Sequence, residues 1–297
     1  MRNIAVVGSG TMGNGIAHVF AQQGFKVSLV DISEAALSKA LLTIQKNLAR
    51  QVEKGLISDD VKTQTIGNIS THSIMQEGIQ DAELIVEAAT ENQEVKLKIF
   101  QQLDLHSNSS AILASNTSSI SITKIADVTK RPDKVIGMHF MNPVPIMKLV
   151  EVIRGKHTSN EVTTVVMELS RKLGKIPVEV NDAPGFVANR ILMPMINEAI
   201  YALHERVSGV EEIDTVMKLG MSHPMGPLQL ADFIGLDVCL SILQVLHEGF
   251  GNAKYAPCPL LVDMVASGEY GVKSQGGFYK YSSVNKELVV SPRFNNK

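Results

Sequence analysis

Short apolar runs alternate with longer amphipathic stretches through the first half of the chain. The runs at 3–7, 26–30, 84–88, 111–114 and 135–140 are bounded by polar and glycine-containing segments. Runs of this length, apolar nearly throughout, predict strands buried on both faces, and the stretches between them predict helices, the βαβ rhythm of a doubly wound parallel sheet. One connection is longer than the others. Residues 33–67 are polar and rich in Ala, Leu, Lys and Gln, and Gly55 interrupts them, a pattern met by two helices folded as a hairpin. Further strands are predicted at 148–153 and 175–180, with a helix at 159–173 between them. From Ala183 onward the strand signal fades, and 185–207, 211–219, 227–249 and 259–267 read as helices punctuated by Gly and Pro. The pattern therefore divides the chain into an α/β domain over 1–183 and an all-α domain over 184–297, with the last dozen residues polar and prone to fray.

The first strand runs directly into Gly8-Ser9-Gly10-Thr11-Met12-Gly13, which opens a helix, and Asp31 closes the second strand 18 residues after Gly13. Each residue type has a physical duty there. Gly8 permits a tight turn, Gly10 lets backbone approach a pyrophosphate, Gly13 allows close helix packing, and the free N–H groups of the helix N-terminus, with Thr11 and Met12 in its first turn, attract phosphate. Asp31 is placed to accept hydrogen bonds from ribose hydroxyls. It would repel a 2′-phosphate, and Ile32 and Ser33 offer no compensating Arg, so the arrangement favours NAD over NADP. The first domain is accordingly expected to be Rossmann-type.

Composition narrows the partners. A net charge of −2, with 44% hydrophobic and 20% charged residues, argues against a nucleic-acid binder, which needs an excess of Lys and Arg. The only cysteines, Cys239 and Cys258, form neither a CxxC pair nor a cluster with His, so no disulfide framework or metal site is expected. The first strand begins almost at Met1, and no apolar run approaches a membrane span; a cytoplasmic location is the expectation.

His139 lies near the end of a predicted strand, where the carboxyl ends of a parallel sheet open onto a ligand crevice. Glu151 follows in the apolar run Leu149-Val150-Glu151-Val152-Ile153, where a lone carboxylate is costly to bury unless an imidazole on the preceding strand partners it. Oxidising a secondary alcohol needs a base for the hydroxyl proton, and a carboxylate fixes the tautomer of such an imidazole. Taken singly, His139 could be structural and Glu151 could face water at a sheet edge.

These residues resemble the 3-hydroxyacyl-CoA dehydrogenase family over nearly the whole chain. The likeness rests on the glycine motif, Ser115-Asn116-Thr117-Ser118-Ser119, Gly137-Met138-His139-Phe140-Met141-Asn142-Pro143-Val144-Pro145, Asp182-Ala183-Pro184-Gly185-Phe186-Val187-Ala188-Asn189-Arg190 and His223-Pro224-Met225-Gly226-Pro227. The resemblance implies that NAD is the cofactor and an acyl-CoA the substrate. It assigns His139 as general acid/base, Glu151 as its orienting carboxylate, and Ser118 and Asn189 to the substrate's 3-oxygen. It places Glu91, Lys96, Asn142 and Lys273 on the cofactor's ribose and nicotinamide side, Lys54 at coenzyme A, and a homodimer through the second domain. Residue types alone leave alternatives: a helix N-cap for Ser118, a structural contact for Asn189, an exposed helical charge pair for Glu91 and Lys96. Lys46, Arg50 and Lys54, at successive i,i+4 spacings, form a basic stripe that suits the CoA phosphates or simply faces solvent. Two positions depart from the family: Met141 replaces a common aromatic, and Gln275 stands where a glycine usually follows Lys273. The competing functions are a CoA-independent 3-hydroxyacid or sugar-acid dehydrogenase and a non-catalytic NAD-binding protein.

Overall fold

The structure, a computed structural model, describes residues 1–282 and 288–295. It contains two compact units, Met1–Phe186 and Val187–Lys297. The first is built on an eight-stranded sheet of order β3-β2-β1-β4-β5-β6-β7-β8, where β1 is Asn3–Val7, β2 Lys26–Val30, β3 Ile69–His72, β4 Leu84–Glu87, β5 Ile112–Ser115, β6 Val135–Phe140, β7 Leu149–Arg154 and β8 Ile176–Asn181. Strands β1 to β6 are parallel; β7 runs antiparallel to β6 and parallel to β8. The sheet is thus mixed rather than wholly parallel. The reason lies in the chain: eight residues separate β6 from β7, fewer than a crossover to a parallel neighbour requires.

Helices α1 (Thr11–Gln22), α2 (Glu34–Glu53), α3 (Asp59–Gly67), α4 (Met75–Ile79), α5 (Gln93–His106), α6 (Ile122–Ala126) and α7 (Asn160–Lys172) connect the strands. The long insert is α2 and α3, joined through Gly55 at φ +67. Ser33 and Ser58 cap the two helices by accepting from the Ala36 and Val61 amides. Ile4, Val6, Phe20, Leu29, Leu84 and Val86 are buried in the core on one side of the sheet, with Ile44 and Leu48 of α2 in the same cluster. β3 was not foreseen, because Ile-Ser-Thr-His carries no apolar run.

His18 of α1 is fully buried beside this core. Burial, and then the charge of Lys175, lower its pKa to about 4 against a weaker opposing hydrogen bond with Gln22. A depressed folded pKa means that stability present above the ordinary histidine value is lost as pH falls towards 4. In a His18→Leu variant that loss is absent, so the melting-temperature gap should move in the variant's favour from pH 6.5 to pH 4. A gap constant across that window, measured by thermal unfolding, would contradict the burial of a neutral imidazole.

The second unit comprises α8 (Ala188–His204), α9 (Val210–Thr215), α10 (Pro227–Ile234), α11 (Leu236–Phe250) and α12 (Pro259–Ala266), with a short antiparallel pair β9 (Tyr279–Lys280) and β10 (Val289–Val290). The single helix read at 227–249 is in fact two, bent by 97° at Gly235, whose φ is +104. That conformation favours glycine, and the apolar residues on either side hide the break from periodicity. Asp232 is buried and accepts from the Phe278 and Tyr279 amides and the Tyr281 hydroxyl, which fastens β9 and the residues flanking it to α10. Burial pushes its pKa up to about 6 although these hydrogen bonds oppose the rise. Within the stretch read as prone to fray, β10 pairs with β9 and Pro292–Phe294 forms a 3-10 turn; residues 286, 287, 296 and 297 lie outside the described residues. No single helix among the described residues is long and apolar enough to cross a membrane.

Candidate active site

One row of the sheet fixes the geography. Val30, Val7, Glu87, Ser115, Gly137 and Ile153 are successive partners from β2 to β7, so Gly8, Ala88 and Asn116 lie one residue beyond it, just past the carboxyl ends of β1, β4 and β5, while β6 runs on to Phe140. Strand order reverses between β1 and β4, which makes this edge the switch-point crevice of an open α/β sheet.

Gly8 turns the chain out of β1 at φ +98, and a Cβ there would lie 2.5 Å from the Ala89 Cα. A Cβ on Gly13 would meet the Gly8 carbonyl oxygen at 1.7 Å, so α1 seats directly on the turn. A Cβ on Gly10 would meet nothing within 4 Å. The N-terminus of α1, with Thr11 exposed and Met12 half-buried, has no side-chain cap and faces that open space. A dinucleotide pyrophosphate fits these features. Asp31 accepts from the Ser9 amide and hydroxyl, both at 2.8 Å, and from the Ser33 amide at 3.0 Å. Burial works to raise its pKa, but the hydrogen bonds outweigh it and hold the carboxyl below its ordinary range, fixing a negative charge at the end of β2 beside the glycine turn.

At the ends of β4 and β5, Glu91 accepts from the Ser118 amide (2.6 Å) and hydroxyl (2.9 Å) through Oε1 and from the Thr117 hydroxyl (2.8 Å) through Oε2. Ser118 is therefore no helix N-cap; Ser121 caps α6. Nor are Glu91 and Lys96 an exposed helical pair. Glu91 precedes α5, Lys96 is buried, and its ammonium is 3.9 Å from Glu91 while bonding Glu87 and approaching Ser115 Oγ at 3.4 Å.

His139 and Glu151 are direct register partners on antiparallel β6 and β7, so their side chains leave the same face. His139 Nδ1 lies 2.8 Å from Glu151 Oε2, and both residues are buried, which removes the reading of Glu151 as a water-facing edge residue. With the carboxylate accepting at Nδ1, a neutral ring keeps its proton there, which leaves Nε2 as the acceptor. Phe186 packs against the imidazole at 6.0 Å between ring centroids. The Phe140 amide donates to Asn116 Oδ1 at 3.0 Å, tying the end of β6 to the loop after β5.

Asn142 is exposed on the 141–148 loop. Lys175 holds that loop by donating to the carbonyls of Val144 (2.5 Å) and Met147 (2.8 Å), and Val144 rests against Gly15 of α1. Lys46, Arg50 and Lys54 are all exposed on α2, with Lys54 at its C-cap. In the second unit, Asn189 is buried in the first turn of α8, and the Lys273 ammonium lies 2.5 Å from the Asp237 carboxylate. Glu87, Asn116, Thr117 and Lys175 were not singled out from the sequence. Glu87 could have been, since a carboxylate ending the buried run Leu-Ile-Val demands a cation.

A glycine turn against an uncapped helix N-terminus, a carboxylate held by the Ser9 and Ser33 amides beside it and a buried His–Glu pair on the same sheet fit a dinucleotide-dependent dehydrogenase. Comparison with known families and proteins makes this specific. Residues 3–183 match the 3-hydroxyacyl-CoA dehydrogenase NAD binding domain and residues 185–281 the family's C-terminal domain. A probable 3-hydroxybutyryl-CoA dehydrogenase of Bacillus subtilis is 54% identical over 95% of this chain and 98% of its own length. Human mitochondrial hydroxyacyl-coenzyme A dehydrogenase is 41% identical over 95% of this chain and 91% of its own. The crystal structure of (S)-3-hydroxybutyryl-CoA dehydrogenase from Ralstonia eutropha superposes with a TM-score of 0.93 at 48% identity, covering 95% of this chain and all of that one. The chain belongs to the 3-hydroxyacyl-CoA dehydrogenase family, and it is an oxidoreductase with NAD as cofactor.

Proposed function

We propose that the protein interconverts (S)-3-hydroxyacyl-CoA and 3-oxoacyl-CoA, with 3-hydroxybutyryl-CoA and acetoacetyl-CoA as the short-chain pair it serves. The observation that carries the reading is the buried 2.8 Å His139–Glu151 contact, with His139 two residues past the row in which Val7 precedes the glycine turn. Relatives at 50–54% identity that carry the 3-hydroxybutyryl-CoA name support the chain length. NAD, when bound, supplies the acceptor for the hydride leaving C3. In the oxidative direction His139 Nε2 takes the 3-hydroxyl proton, and Glu151 stabilises the imidazolium across the Nδ1 bond. Reduction runs the same transfer backwards. Asn189 donates to the 3-oxygen, and Ser118 joins it by turning its hydroxyl from Glu91 Oε1 to that oxygen while its amide keeps the Glu91 bond; both hydrogen bonds strengthen as the oxygen gains charge. Gly8, Gly10 and Gly13 with the first turn of α1 seat the pyrophosphate and Asp31 the adenosine ribose, with Glu91, Lys96 and Asn142 on the nicotinamide side and Lys273 a further cofactor contact. Lys54 and Arg50 hold the CoA phosphates.

The second unit leaves Ile191, Val216, Leu219, Met221 and Phe233 exposed, which supports a homodimer through it; a cytoplasmic location completes the proposal. The deciding assay follows loss of NADH absorbance with acetoacetyl-CoA, with NADPH in place of NADH, and with free acetoacetate. Turnover with acetoacetyl-CoA and NADH alone is the expected outcome; faster turnover of the free acid would overturn the substrate assignment. Lys54→Ala should raise KM for acetoacetyl-CoA about fivefold, the worth of one exposed charge contact, without affecting a CoA-free analogue. An unchanged KM would place the stripe in solvent.

A further inference from the structure

Glu87 is the most deeply placed ionisable group of the crevice, with no solvent exposure at all, and nothing in the proton-transfer scheme uses it. Its two oxygens serve three partners. Oε1 accepts from the Ala89 amide at 2.8 Å, on the segment against which Gly8 packs. Oε2 accepts from Ser115 Oγ at 2.9 Å, at the head of the loop that carries Ser118, and from the Lys96 ammonium. Lys96 has two carboxylates within reach, the bonded Glu87 and Glu91 at 3.9 Å. Glu91 in turn spends Oε1 on the Ser118 amide and hydroxyl and Oε2 on Thr117.

We infer that Glu87 is a positioning residue for the cofactor end of the site: by holding the Lys96 ammonium on itself, it keeps Lys96 from collapsing onto Glu91, so that Glu91 continues to fix Ser118. The physical argument is one of competition. A buried ammonium deprived of its counter-ion moves to the next carboxylate available, because an uncompensated charge costs more in the interior than any neutral hydrogen bond it displaces. Here that carboxylate is Glu91, and the bonds displaced are those of Thr117 and Ser118. In Glu87→Gln the single amide oxygen would still accept from Ala89, while the NH2 at the other terminus would face Ser115 Oγ as a donor and, having no acceptor for the ammonium, would release Lys96. This inference rests on the proposed placement of Glu91 and Lys96 at the cofactor, and not on the identity of the acyl substrate.

The test is a double-mutant cycle on the full chain, read by NADH fluorescence titration without substrate and by thermal unfolding. Glu87→Gln should weaken NADH about tenfold, the worth of one charge-assisted hydrogen bond, and lower the melting temperature. Lys96→Met should weaken NADH by a similar factor. Combining them should restore the melting temperature, since the buried charges leave together, while NADH affinity stays at the level of Lys96→Met alone. The inference is overturned if Glu87→Gln binds NADH within twofold of wild type, or if the two losses multiply in the combined variant. Should Glu87→Gln fail to fold, the comparison of Lys96→Met with the combined variant decides alone: equal affinities support the role, a further tenfold loss refutes it. Failure of the acetoacetyl-CoA assay with NADH binding intact would strike the substrate assignment and leave this cycle readable.

Discussion

His139→Gln is expected to lower kcat for acetoacetyl-CoA reduction by about a thousandfold while leaving the NADH dissociation constant near that of the wild type. The amide keeps the size and polarity of the imidazole and can still contact Glu151, but it cannot take or give a proton at the crevice. Glu151→Gln should also be severely slowed, because an amide at the Nδ1 partner position no longer dictates the tautomer and no longer stabilises the imidazolium. The two residues act as one device, so the combined variant should be no slower than His139→Gln alone. Steady-state rates with single-turnover measurements make the comparison. Turnover within tenfold of wild type for His139→Gln would move the acid/base function elsewhere in the site.

The second large effect belongs to the glycine turn. Alanine at position 13 would put a methyl carbon 1.7 Å from the Gly8 carbonyl oxygen, and no side chain is there to swing aside. Either α1 shifts or the turn opens. A displacement of about 1 Å at a preorganised site is enough for a hundredfold loss, and NADH affinity should fall at least that far, with a stability loss of about 1–3 kcal/mol from overpacking. Gly10→Ala provides the contrast, since its added methyl enters open space: the melting temperature should hold while NADH binding weakens, the methyl occupying room the pyrophosphate needs. Equal effects of the two substitutions on unfolding and binding would show that Gly10 serves the fold rather than the ligand.

The parts of the fold most legible in the sequence are those where one physical demand acts alone. β1, β2 and β6 are buried on both faces, so their apolar runs match the observed strands residue for residue. Where demands compete, the pattern blurs. β3 pairs only with β2, leaving half its residues exposed, and its Ser-Thr-His sequence looks like a loop. α4 contains Gly78, a poor helix former, because a Cβ there would lie 2.4 Å from Val30 Cγ2. In the site, the glycine turn and the proximity of His139 to Glu151 could be argued from sequence, since each rests on local spacing or neighbouring strands. The Glu87–Lys96–Glu91 arrangement could not, because the strand hides Glu87 among apolar residues and the choice Lys96 makes between two carboxylates depends on burial. The reversed direction of β7 was available in principle from the short link after β6.

That reversal carries a consequence for how the protein can vary. Because the imidazole and its carboxylate face each other as rungs of one ladder, their separation is inherited from main-chain pairing and not from the conformation of the intervening segment. Lengthening or shortening that segment should therefore be tolerated, whereas one residue inserted between Leu149 and Glu151 would turn the acid to the opposite side of the sheet and leave the histidine alone. Chemistry of this kind is robust to drift in a surface connection and intolerant of a single-residue slip, which is the reverse of what holds for sites assembled wholly on loops.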